Sequence, residues 1–79
     1  MEVILIQDAS IQAPAASISI SVGSNNDPKK LQGLAHFLEH LVFMGSEKYP
    51  EQNGIMDYIK HNGGYVNAYT DRIETNFYF

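Results

Sequence analysis

The clearest hydrophobic pattern lies near the start of the chain, in residues 15–23. Ile18, Ile20 and Val22 fall on one side, and Ser17, Ser19 and Ser21 on the other. Period two with one apolar face predicts a strand. A shorter run, Val3 to Ile6, is apolar and bounded by Gln7-Asp8, which predicts another short, buried strand. Residues 23–30 carry turn residues, and Asp27-Pro28 has the form of a helix cap followed by a helix-start proline. From Leu31 to Met44 the spacing predicts a helix closed by Gly45. Leu34, Phe37, Leu38, Leu41, Val42 and Phe43 leave it little polar surface, so it should be buried nearly all round. After the polar connector 46–53, a second helix is expected over about Glu51 to His61. Ile55, Tyr58 and Ile59 form its stripe, and it ends before Gly63-Gly64. Residues 65–70 and 75–79 are strand-like around a 71–74 turn, a hairpin.

Strand, strand, helix, helix, strand, strand predicts an α+β fold: a mostly antiparallel sheet with two helices packed on it. The last strand reaches Phe79 without a closing turn, which predicts a segment of something larger. At 79 residues one small domain is the ceiling, with a thin core or partners outside it. A net charge of −4 provides no basic footprint, so neither nucleic acid nor an anionic membrane is an expected partner. There are no cysteines, which excludes disulfides and thiolate metal ligands. No run is long enough for a signal sequence or a membrane span. A soluble chain is expected, with the cytoplasm favoured and the compartment otherwise open.

Candidate chemistry lies in the oily run 33–45, where His36, Glu39 and His40 are the ionisable members. Burying such groups is costly unless something pairs with them. His36 and His40 are four residues apart, about one helical turn, so both imidazoles can reach a single ion. Zinc accepts nitrogen and carboxylate ligands in a tetrahedron, and a catalytic site keeps one position for water. The expectation is that His36 and His40 are ligands and Glu39 is the general base that takes the proton of an activated water. The order is that of the inverted zincin pattern, H-x-x-E-H. The competing readings are two hydrogen-bonded core histidines, or a structural zinc site. An uncompensated buried carboxylate argues against the first, and the lack of cysteine against the second.

With these residues in place, "GLAHFLEHLVFMGSEKYPEQN" followed by "GGYVNAYTDRIETNFYF" resembles the insulinase/pitrilysin family of zinc metallopeptidases, and its insulysin-like branch in particular. The similarity runs from Val22 to Phe79. It implies that residues 1–79 are a partial N-terminal catalytic domain, part of a larger α/β-roll peptidase domain. It implies zinc (Zn2+, one per complete site) held by His36 and His40, with Glu39 as catalytic base. It implies further that Asn67, Ala68 and Tyr69 lie on an edge strand that binds substrate by β-addition, which suits the free backbone groups of such an edge.

The resemblance also implies a third zinc ligand, a glutamate beyond residue 79. Among local substitutes, His61 fits a helix-terminal role better, and Asp57, Asp71 and Glu74 fit solvated charges. Peptide substrates are the expected partners, together with the rest of the peptidase chain or a second subunit. The isolated monomer is expected to be inactive. The alternative is a non-catalytic peptide-binding module or truncated paralogue that captures peptides with its edge strand. An intact metal motif favours the enzyme.

Overall fold

The computed structural model describes residues 1–79 and shows an α+β arrangement of three short strands and two short helices. Strand β1 is Ser17–Ile20, helix α1 Leu34–Leu41, helix α2 Gly54–His61, strand β2 Asn67–Thr70 and strand β3 Thr75–Tyr78. The sheet order is β1-β3-β2, and both pairings are antiparallel. The register aligns Ile18, Phe77 and Ala68 across the sheet, and Ile20, Thr75 and Thr70 next to them. Because side chains alternate, these six share one face, and the serines of β1 share the other with Asn67, Tyr69, Asn76 and Tyr78. Helix α1 lies against the first face, where the Phe43 and Phe77 rings sit 6.0 Å apart.

The loop after β1 is tied to the β2–β3 turn: Ser24 N–H donates to the Asp71 carbonyl (2.9 Å) and Asn25 N–H to that of Arg72 (2.9 Å). Gly23 is a steric requirement there, since a Cβ on it would lie 2.3 Å from the Asp71 carbonyl oxygen. Helix α2 ends in a Schellman motif, with Gly63 N–H donating to the Lys60 carbonyl and Gly64 N–H to that of Ile59. Gly63 sits at φ +79°, a conformation that glycine adopts without a Cβ penalty.

Four expectations are corrected. Residues Val3 to Ile6 form no strand and are 63–91% exposed. An apolar run becomes a strand only when a neighbour takes its backbone groups, and none does here. The α-helix starts at Leu34 rather than Leu31 because Gly33 adopts φ +90°. It stops at Leu41, and a 3-10 turn over Val42–Met44 follows. Likewise α2 starts at Gly54, after Asn53 at φ 58°. Nor is α1 buried all round: Phe37 and Leu38 are 59% and 60% exposed. One sheet face can cover only one side of a helix, and this chain supplies no second layer. Four residues are buried, and Val66 is the sole apolar side chain among them.

Candidate metal centre

Helix α1 carries the three residues singled out by the sequence, and its N-terminus is fixed from a distance. Gly33 has no side chain with which to cap the helix. The Asp27 carboxylate does it instead, Oδ2 accepting from Gly33 N–H (2.7 Å) and Oδ1 from Ala35 N–H (2.9 Å). A negative group at this end also suits the helix dipole. Asp27 therefore does act as a cap, but for a helix that begins seven residues later and not at Pro28.

One turn on, His36 and His40 place their Nε2 atoms 3.0 Å apart, with the rings tilted 50° to each other. Two nitrogens bound tetrahedrally to one zinc at ordinary lengths would be about 3.3 Å apart, so the pair needs almost no adjustment to share an ion. Ligand atoms of His36, Glu39 and His40 all lie within 4.8 Å of one another. Both histidines are exposed. Two nitrogens and a carboxylate are a donor set that zinc accepts, so the residues fit the metal.

Glu39 is the most buried residue of the helix, 8% exposed, yet a carboxylate oxygen lies within 4.8 Å of the histidine nitrogens. Its Oε2 accepts a short hydrogen bond, 2.5 Å, from Thr70 Oγ1 on β2. No protein donor reaches Oε1. No buried polar side-chain atom lacks a partner, so Oε1 must be open to solvent. The carboxylate thus has one oxygen held by the sheet and one available.

The local substitutes for a third ligand are engaged elsewhere. The His61 ring Nδ1–H donates to the Asp57 carbonyl (2.7 Å). Glu74 accepts from Tyr69 Oη (2.6 Å) and Ser19 Oγ (3.1 Å), and Asp71 Oδ1 accepts from Arg72 N–H (2.7 Å). None of them, nor Asp57, joins the His36–Glu39–His40 group.

Asn67, Ala68 and Tyr69 all lie on β2, which pairs with β3 on one side only. The pleat separates them: Ala68 shares the α1 face, while Asn67 and Tyr69 point to the opposite one. The Asn67 side-chain oxygen accepts from the Ala68 N–H (2.9 Å). The hydrogen bond to Glu74, then desolvation and the Glu74 charge, raise the Tyr69 hydroxyl above its usual value. Sequence reasoning missed Thr70, 31 residues from Glu39. The one available hint was strand parity, which puts it on the same face as Ala68.

An inverted His-x-x-Glu-His helix against an antiparallel sheet is an arrangement that suits a hydrolase. The sequence profile described as Insulinase (Peptidase family M16) matches residues 2–79, and the chain belongs to that family of peptidases. It is 53% identical over all of its 79 residues to "Insulin-degrading enzyme-like 1, peroxisomal" of Arabidopsis thaliana, of which it covers 8%. It is 48% identical over its whole length to the "A-factor-processing enzyme" of Saccharomyces cerevisiae, again covering 8%. In structure it is similar to crystalline pitrilysin, with a TM-score of 0.78 and 45% identity over 81% of this chain and 7% of that one. The chain thus spans about a twelfth of the length of the curated relatives it matches.

Proposed function

We propose that residues 1–79 are part of the catalytic domain of a zinc metalloendopeptidase, which works together with further residues from a longer chain or a second subunit. The observation that carries this reading is the 3.0 Å approach of the His36 and His40 Nε2 atoms beside the buried Glu39. His36 and His40 hold the ion, and a third ligand comes from outside these residues. When bound, zinc acts as a Lewis acid and makes water a nucleophile near neutral pH. Glu39, through its open oxygen, takes the proton from the attacking water and passes it to the leaving amine. The free edge of β2 at Asn67, Ala68 and Tyr69 aligns an extended peptide by backbone hydrogen bonds, once the Asn67 side chain releases the Ala68 N–H. The exposure of Leu34, Phe37, Leu38, Leu41 and Val42 supports a covering layer supplied by the rest of the protein.

The test uses the longest polypeptide that carries this segment. Zinc content near one per chain and peptide hydrolysis are expected. Removal of zinc by a chelator should abolish hydrolysis, and added zinc should restore it. Glu39→Gln should keep the zinc and lose turnover. Full activity in that variant would remove Glu39 from the mechanism. Peptide capture that survives zinc removal, with no hydrolysis by the parent protein, would replace the enzyme by a binding module.

A further inference from the structure

We infer that Thr70 is a positioning residue: its hydroxyl orients Glu39 so that one carboxylate oxygen stays pinned to the sheet while the other faces the histidine pair. The inference rests on the reading of Glu39 as proton acceptor and adds a partner to it. Thr70 is the last residue of β2, on the face that α1 covers. It is half-buried, it donates to Glu39 Oε2 at 2.5 Å, and it is the only protein group that hydrogen-bonds this carboxylate.

A glutamate has three side-chain torsions, and helix geometry alone leaves several rotamers open. Donation from the hydroxyl selects one of them. It also satisfies the inner oxygen of a side chain that is only 8% exposed, where an unpartnered carboxylate oxygen is costly. The outer oxygen keeps its lone pairs for a proton. A base held within a few tenths of an ångström of its working position contributes through orientation, and a displacement of about 1 Å can cost about 100-fold in rate. The bond also links the sheet to the catalytic helix. The strand whose free edge is proposed to take the substrate is therefore the strand that aims the base.

The experiment compares Thr70→Val, Thr70→Ser, Glu39→Gln and the Glu39→Gln/Thr70→Val double variant in the longest polypeptide carrying the segment. The readouts are kcat and KM for a fluorogenic peptide, zinc affinity by chelator competition, and the absorption spectrum of the cobalt-substituted protein. Thr70→Val keeps the volume and removes the donor. Its kcat should fall about 10- to 100-fold, with KM and zinc affinity within about twofold and the cobalt spectrum unchanged. Thr70→Ser, which keeps the hydroxyl, should stay within about threefold of the parent. The double variant should turn over no more slowly than Glu39→Gln. Parent-like kcat in Thr70→Val, or equal losses in the serine and valine variants, would overturn the positioning role. So would a further loss in the double variant, because the hydroxyl would then act by a route other than Glu39. Should Glu39→Gln itself remain fully active, the catalytic reading fails instead, and the two failures are told apart.

Discussion

Replacing Asp27 with alanine removes both hydrogen bonds that cap helix α1 without touching His36, Glu39 or His40. The carboxylate accepts from Gly33 N–H at 2.7 Å and from Ala35 N–H at 2.9 Å, and Gly33 has nothing to offer in its place. Loss of an N-cap side chain costs about 0.5–2 kcal/mol. With two backbone donors orphaned at once, the upper half of that range, about 1–2 kcal/mol, is expected. Helix α1 has only eight residues, too few to be stable without tertiary contacts and caps. On the proposed reading, the cost reappears in zinc binding, which needs His36 and His40 one turn apart on an intact helix. Affinity should fall about 5- to 30-fold if binding carries the whole 1–2 kcal/mol. Urea denaturation followed by circular dichroism at 222 nm measures the first quantity, and chelator competition the second. Asp27→Asn, which keeps one acceptor oxygen, should lie between the parent and Asp27→Ala. If Asp27→Ala leaves both the stability and the zinc affinity unchanged, the capping argument is wrong.

Two further tests probe the sheet. Gly23→Ala places a Cβ 2.3 Å from the Asp71 carbonyl oxygen and 2.6 Å from the Arg72 carbonyl carbon, so the β2–β3 turn must move. A loss of about 1–3 kcal/mol is expected in thermal or chemical unfolding, and an unchanged transition would show that the loop can part from the turn at no cost. Tyr69 should titrate above the usual 10.0 because its hydroxyl donates to Glu74. The folded state favours the protonated phenol, so this contribution to stability is present below the unfolded value and lost as pH rises through the raised folded one. Ultraviolet difference titration should show the shift in the parent and its disappearance in Glu74→Ala; an unmoved titration in that variant would refute the assigned cause.

Features that depend on neighbours close in sequence were legible. The i, i+4 spacing of His36 and His40 translates into a 3.0 Å nitrogen approach because helical pitch is nearly invariant. The serine–isoleucine alternation of β1 and the glycine stop after α2 follow from similarly local rules. Element ends were less legible, since Gly33 and Asn53 take left-handed conformations that no periodicity announces. Val3 to Ile6 has the composition of a strand, yet its backbone finds no partner.

What the amino-acid sequence determines by itself is the chemistry on offer: two imidazoles and a carboxylate on one short helix, with an edge-forming hairpin after it. Which way that chemistry points was decided only by the tertiary structure. Packing α1 on the sheet turned Glu39 inward to Thr70 and left His36 and His40 facing out. It also brought Asp27 back onto the helix start. Local geometry sets the spacing of side chains along a helix, but the helix's rotation about its own axis is set by what it packs against. That rotation buries Glu39 against the sheet and leaves the two histidines beside it exposed.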